Sequence, residues 1–400
     1  MDIPFEEART RILDSVSPLA AEHAPLLEAA GRILSEEIFA PFEMPSADNS
    51  AMDGFAVRSS ECAGPVTLAI AGYRPAGFSG ITALEAGSAV RIMTGAPLPA
   101  ECDAVVPFED ALEESGRVRI ERAVKAGAHV RVRGEDVRKG DRVLAPGTAL
   151  RPPEISLLAS FGRVLVPVYR KPRVAILATG DELVEPGGEI PPGAIVNSNS
   201  FSLASAVREA GGEPVMLGIA RDSLPSLREK LSAGLAEDAL LTSAGVSAGD
   251  RDLVREALSG LSVREIFWRV QMRPGRPFAF GLQGRRPVFS LPGNPVSAMI
   301  SFEMLARPAL RKMAGDPAPV KPCVKAVLTE AVRKKPGRIQ FLRVESEILD
   351  GEYRVRSAGD QNTGILRTMV RGTGIAILPE DRTHFEAGER VEVLFLYGRC

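Results

Sequence analysis

Apolar and polar positions follow three different rhythms along the chain. Near the start, Phe5, Ala8, Ile12, Leu13 and Val16 recur at helical spacing on a charged background, which predicts one surface helix. From Pro41 to Arg58 the text becomes PFEMPSADNSAMDGFAVR. Two prolines and a polar tract preclude a regular helix there, and a long irregular segment of this kind is often functional. Between residues 64 and 150, short apolar runs stand between glycine turns: Val66–Ala71, Ala89–Met93, Ala104–Val106, Val118–Glu121 and Val130–Val132. That spacing predicts a small β-rich unit. Pro152 and Pro153, followed by ISLLASFG, predict a short helix with proline in its first turn, and Val164–Val168 a strand.

After Lys171–Pro172 the rhythm changes. Apolar strands Val174–Ala178, Val215–Ile219, Ala239–Thr242, Ile266–Met272 and Val288–Leu291 alternate with helical stretches. Those stretches include one capped by Asn197–Ser202 and ending near Gly211, Leu224–Leu235, and Val296–Met304. Repeated βαβ units predict a doubly wound parallel sheet with helices on both faces. From residue 318 the chain is β-rich again, with runs at Val324–Leu328, Gln340–Val344, Tyr353–Arg356, Gly374–Leu378 and Arg390–Phe395, a small barrel or sandwich. The expected organisation is an N-terminal region over 1–170 with a β-rich insert at about 47–140, an α/β domain over 171–317, and a C-terminal β-barrel over 318–400.

In a doubly wound sheet the loops at the carboxyl ends of the strands gather on one edge, where ligands bind. Four loops belong there. One carries Thr179, Gly180, Asp181 and Glu182, and another Asp222. A third runs from Thr242 through Ser243, Ala244, Gly245, Val246, Ser247, Ala248 and Gly249 to Asp250 and Asp252. The fourth is Pro292, Gly293, Asn294 and Pro295. Small residues let backbone amides approach an anion. The clustered carboxylates, Asp181 and Glu182, Asp222, and Asp250 and Asp252, suit a hard cation such as Mg²⁺. Arg269, Arg273 and Arg276 stand nearby in RVQMRPGRP, and a guanidinium fork matches an oxyanion. A site holding both reads as phosphoryl or nucleotidyl chemistry. Plain surface ion pairs and an ordinary βα turn are the competing readings.

Composition narrows the choice. Charged residues make up 25% of the 400-residue chain and the net charge is −2, which speaks against a nucleic-acid or membrane surface. The four cysteines, Cys62, Cys102, Cys323 and Cys400, never pair as CxxC, which fits a reducing compartment and argues against a structural zinc site. His23, His129 and His384 avoid the strand-end loops, so no Ser–His–Asp arrangement is available, and there is no Walker A sequence. The N-terminus carries charge within six residues and reads as no signal peptide, and no apolar run approaches the roughly 18 residues of a membrane span. A cytoplasmic protein is expected.

Eight segments together resemble one family. They are NSAMDGFAVR (Asn49–Arg58), IMTGAPLP (Ile92–Pro99), RGEDVRKGD (Arg133–Asp141), ATGDELVEPG (Ala178–Gly187), NSNS (Asn197–Ser200), TSAGVSAGDRD (Thr242–Asp252), RPGRPFAFG (Arg273–Gly281) and LPGNPVSA (Leu291–Ala298). The chain resembles the molybdopterin molybdenumtransferases, the MoeA and gephyrin family, over essentially its whole length. The resemblance implies an elongated homodimer with a split N-terminal region, a doubly wound molybdopterin-binding domain and a C-terminal β-barrel. It implies a transferase of molybdenum cofactor biosynthesis that takes adenylyl-molybdopterin and molybdate, releases AMP with Mg²⁺ and inserts molybdenum. By motif match it ties activity to Asp53, Thr94, Asp136, Glu182, Asp222, Asp252, Pro292 and Pro295, with Glu182, Asp222 and Asp252 as the expected Mg²⁺ ligands. The N-terminal motifs of one subunit would face the central domain of the other. Substrate contacts are expected from Thr179, Gly180, Ser243, Gly245, Ser247, Gly249, Asp250, Arg269, Arg273, Arg276, Pro292, Gly293, Asn294 and Pro295.

Three departures from the family pattern stand out. Arginines occupy positions 269, 273 and 276 where lysine is usual, Ala244 stands where glycine is common, and Thr368 lies near an expected serine. Transient contacts with a molybdopterin adenylyltransferase and with recipient molybdoenzymes are the further partners considered. An adenylyltransferase of the same central fold and a non-catalytic dimeric scaffold are the alternative functions. The N- and C-terminal regions argue against the first, and the retained acidic set against the second.

Overall fold

The structure is a computed structural model, and it describes residues 2–77, 84–244 and 253–396. The chain divides into two compact units. One comprises residues 36–146 and 153–164, and the other residues 1–35, 147–152 and 165–400.

The smaller unit is built on a six-stranded sheet in the order Ala104–Pro107, Gly54–Val57, Ser88–Ile92, Val66–Arg74, Arg117–Ile120, Ala111–Glu114. All neighbours run antiparallel except Val66–Arg74 beside Ser88–Ile92. The stretch expected to be irregular contains a central strand of this sheet. Gly54–Val57 is buried at every position and is paired on both sides. Four residues are too few for the polar–apolar alternation that marks a strand in sequence, and a strand buried on both faces has none to show. Gly54 is pressed so close to the neighbouring strand that a Cβ would lie 2.0 Å from the Val106 carbonyl oxygen.

The larger unit contains the α/β sheet, in the order Glu213–Ala220, Arg173–Thr179, Ala239–Ser243, Arg286–Leu291, Ala279–Gln283, Arg264–Trp268. The first four strands are parallel. Alternate residues feed two cores. Val174, Ile176, Ala239 and Leu241 pack with Leu203 and Val207 of the Asn199–Glu209 helix. Ala175, Leu177 and Leu240 pack with Leu227 and Leu231 of Leu224–Gly234 and with Val254 and Leu258 of Leu253–Gly260. This is the period of two expected of a strand covered on both faces.

The far edge departs from an all-parallel sheet. Arg264–Trp268 and Ala279–Gln283 run antiparallel to their neighbours. The reason is connection length: Gly284 and Arg285 alone join Gln283 to Arg286, enough for a hairpin but not for a parallel crossover.

The C-terminal strands close on themselves. Ile339–Leu349, Glu352–Ser357, Val324–Leu328, Arg390–Phe395 and Gly374–Leu378 pair in sequence, and Gly374–Leu378 pairs back onto Ile339–Leu349. This five-stranded barrel is tied to the α/β sheet by Met272–Arg273, which pairs with Ile339–Gln340. The helix Phe5–Asp14 joins the same core. Phe5 lies edge-on to Phe341 of the barrel, ring centroids 4.9 Å apart, and Ala8 and Ile12 are fully buried.

Candidate functional site

A cleft of about 480 Å³ opens at the carboxyl ends of the parallel strands. Its walls come from Ala178 and Glu182, from Ile195–Asn199, from Ser243 and Ala244, and from Pro292–Pro295, with Pro277 and Ser297 at one side. Of the residues the sequence assigns to substrate, Ser243, Pro292, Gly293, Asn294 and Pro295 line this cleft. Thr179 and Gly180 are buried at the end of their strand beside it. Gly245, Ser247, Gly249, Asp250 and Asp252 lie outside the described residues.

The loop before Glu182 depends on a glycine. Gly180 has φ +144°, and a Cβ there would stand 2.6 Å from both carboxylate oxygens of Glu182. The carboxylate therefore folds back over bare backbone. Arg221 holds the same loop by donating from Nη1 to the carbonyls of Asp181 and Leu183, at 3.0 and 3.3 Å. Asp181 Oδ1 in turn accepts the Asp222 amide at 3.1 Å. Arg221 and Asp181 are thus spent on geometry. The carboxylates of Glu182 and Asp222 are exposed and make no hydrogen bond or ion pair among the described residues. No three metal-ligating side chains gather among the described residues, and the third expected ligand, Asp252, is not among them.

The Pro292–Pro295 loop starts a helix. Pro295 occupies its first turn, where a missing N–H costs nothing. Asn294 does not cap that helix with its side chain; its Nδ2 donates to Thr363 Oγ1 of the barrel at 3.0 Å. Ala244, across from this loop, has φ +78°, the left-handed region that favours glycine. The family position it occupies is therefore a backbone requirement, and alanine meets it under strain.

The arginines fall into two groups. Arg276 is held by Asp2, with Nε and Nη2 each 2.8 Å from its carboxylate. Arg269 and Arg273 make no ion pair among the described residues. Arg273 and Arg276 line a second cleft of about 440 Å³ with Lys335 and Arg338 of the barrel, and this cleft shares Pro277 and Ser297 with the first. Gly275 between the arginines has φ +101°, and a Cβ there would meet Ser301 Oγ at 2.4 Å. Arg343, in the barrel strand Ile339–Leu349, is fully buried. It donates to the carbonyls of Asp360 and Asn362, and its Nε and Nη1 have no partner among the described residues.

The N-terminal candidates belong to the smaller unit. Asp53 Oδ1 accepts both the amide and the hydroxyl of Thr94, each at 2.7 Å. The amide and then the hydroxyl hold the Asp53 carboxyl below its ordinary range. In the RVRGEDVRKGD loop two of the three acids serve the backbone, Glu135 accepting the Val132 amide and Asp141 the Arg138 amide, while Asp48 from outside the loop accepts the Arg133 amide. Asp136 is exposed and makes no side-chain hydrogen bond among the described residues. It is the acid in that loop left for a ligand.

Sequence reading gives Asn199 a place only within the NSNS segment and the helix start, and gives no role to Arg221 or Thr363. Each acts through a single long-range hydrogen bond or pair of them, and nothing in local spacing announces such a partner.

An apolar hollow of about 220 Å³ beside Trp268, lined by Val254, Leu258, Val263 and Phe280, lacks convergent polar groups. Its charged members Arg255 and Glu265 are paired at 2.7 Å. The strand-end cleft, with the unspent carboxylate of Glu182 and adjoining cations, is the better candidate.

Comparison with known proteins shows which family the chain is similar to. Residues 3–162 match the family model of the MoeA N-terminal region (domains I and II), residues 175–312 that of a probable molybdopterin binding domain, and residues 325–396 that of the MoeA C-terminal region (domain IV). A molybdopterin molybdenumtransferase of Haemophilus influenzae is 36% identical over 396 residues, 98% of each chain. Molybdopterin molybdenumtransferase 2 of Mycobacterium tuberculosis is 38% identical over 92% of this chain and 93% of its own. The crystal structure of a molybdopterin biosynthesis MoeA protein from Pyrococcus horikoshii superposes with a TM-score of 0.84 at 31% identity, covering 99% of this chain and all of that one.

Proposed function

The chain belongs to the MoeA family of molybdopterin molybdenumtransferases, and we propose from this that its strand-end cleft binds adenylylated molybdopterin and presents it to molybdate. The protein is a transferase of molybdenum cofactor biosynthesis that inserts molybdenum into molybdopterin. The observation that carries the reading is the pairing of two clefts. A pocket of about 480 Å³ walled by small residues and backbone adjoins a cationic one of about 440 Å³.

The division of labour follows from the side chains. The first cleft is sized and polarised for a flat heterocycle, with Pro292 and Pro295 fixing the wall and Asn199, Ser243 and Asn294 supplying polar groups. Arg273, Lys335 and Arg338 suit an oxyanion such as molybdate, which is tetrahedral and doubly charged. Glu182 and Asp222, unspent and exposed, fit a hard cation, with Asp252, outside the described residues, as the third ligand expected from the sequence. Bound Mg²⁺ would neutralise charge on the diphosphate as AMP leaves. Within this reading the protein is a cytoplasmic homodimer, and Asp53, Thr94 and Asp136 act on the cleft of a second copy, orienting substrate and molybdate. Transient contact with a molybdopterin adenylyltransferase and with recipient molybdoenzymes belongs to the same reading.

The test is reconstitution. Purified protein given adenylyl-molybdopterin, Mg²⁺ and molybdate should release AMP and yield active cofactor. Adenylyl transfer from ATP to molybdopterin would indicate the adenylyltransferase instead, and neither activity would leave a scaffold.

A further inference from the structure

We propose that Asn199 is a positioning residue of this cleft, and that it fixes Ser243 as a hydrogen-bond donor to the bound heterocycle. The proposal rests on the reading that the cleft holds a pterin.

Asn199 opens the helix Asn199–Glu209 and lines the cleft. Its Nδ2 makes two hydrogen bonds, to Ser243 Oγ and to the Gly293 carbonyl, both at 2.8 Å. Ser243 ends one parallel strand, and Gly293 lies just beyond the end of the next, where Ser243 is in register with Leu291. One carboxamide thus spans three separate chain segments, each of which lines the cleft. Asn197, two residues earlier and buried, steadies the helix start by accepting the Ser200 amide at 3.3 Å.

The orientation of the amide is fixed by chemistry. The Gly293 carbonyl can only accept, so the nitrogen of Asn199 must face it. The flipped amide would set two oxygens against each other. The same nitrogen then occupies a lone pair of Ser243 Oγ. The hydroxyl hydrogen of Ser243 has to point elsewhere, and no acceptor for it stands among the described residues. Ser243 is nearly buried yet forms part of the cleft wall. A ring nitrogen or exocyclic carbonyl of the heterocycle supplies the acceptor. Asn199 Oδ1 is itself buried without a partner among the described residues, a cost the fold bears to keep the nitrogen in this place.

The experiment measures molybdopterin binding by pterin fluorescence, with molybdate KM and kcat beside it, in the full-length protein. Asn199→Asp keeps the size and loses both N–H groups. It should raise the molybdopterin Kd about tenfold, the scale of one buried hydrogen bond, and leave the molybdate KM unchanged. Ser243→Ala should do the same. The Asn199→Asp/Ser243→Ala double variant should be no worse than the weaker-binding single variant, because the two act in series. If Asn199→Asp does not fold, Asn199→Ser is read in the same titration. A wild-type molybdopterin Kd in a folded Asn199 variant, or additive losses in the double variant, overturns the proposal. Failure of the wild type itself to bind molybdopterin sinks the underlying reading and this proposal with it.

Discussion

Asp53 and Thr94 are forty-one residues apart, yet the amide and the hydroxyl of Thr94 both donate to the one oxygen Asp53 Oδ1, each at 2.7 Å. Both bonds favour the ionised carboxyl, the amide more than the hydroxyl. The folded pKa lies below the unfolded one, so the contribution is present above the unfolded carboxylate range and is lost as pH falls through the folded value. Thr94→Val removes only the lesser bond. The Asp53 pKa, followed by carbon NMR titration, should rise part of the way back to the ordinary value. No movement would show that the hydroxyl does not hold the carboxylate.

Gly180→Ala should separate the geometry of Glu182 from its presence. The added Cβ would stand 2.6 Å from both carboxylate oxygens, at a φ of +144° that alanine avoids. The side chain of Glu182 must swing away, and kcat/KM for molybdenum insertion should fall about tenfold or more, or about 1.4 kcal/mol in transition-state binding. A folded variant with unchanged kcat/KM would mean that the position of Glu182 is immaterial.

Ala244→Gly should stabilise the protein. Ala244 has φ +78°. A left-handed backbone costs a non-glycine residue about 1–2 kcal/mol, and the added freedom of glycine in the unfolded chain takes back about half of that. A net gain of about 0.5–1 kcal/mol should appear as a higher denaturant midpoint at constant slope. A lower midpoint would show the strain to be relieved elsewhere.

Phe5→Ala tests the join between helix and barrel. Phe5 is 4% exposed and packs edge-on against Phe341. Truncation should cost about 3–5 kcal/mol. A loss under about 1 kcal/mol would show that the N-terminal helix is dispensable to the core.

Much of this architecture can be read from the chain. Val174–Ala178 and Ala239–Thr242 announce buried strands because they are continuous apolar runs ended by small polar residues. The loops bearing Glu182, Asp222 and Pro292–Pro295 follow from strand ends. Gly54–Val57 was hidden because four residues have no period. The antiparallel edge turns on a connection of two residues, Gly284 and Arg285, which an apolar pattern does not weigh. The Phe302–Ala306 π-turn, which joins Pro295–Ser301 to Arg307–Met313, leaves the helical spacing nearly intact and so escapes notice. Asn199 showed only as a member of the NSNS segment, and Arg221 and Thr363 were invisible as site residues. Their partners, Gly293, Asp181 and Asn294, lie 94, 40 and 69 residues away.

The central claim is that the pterin occupies the strand-end cleft. Hydrogen exchange followed by mass spectrometry, with and without molybdopterin, tests it directly. Slowed exchange over residues 195–199 and 292–297, with none over the Leu253–Gly260 helix beside Trp268, is the predicted result. Slowed exchange at that helix, with the strand-end loops unchanged, would contradict it.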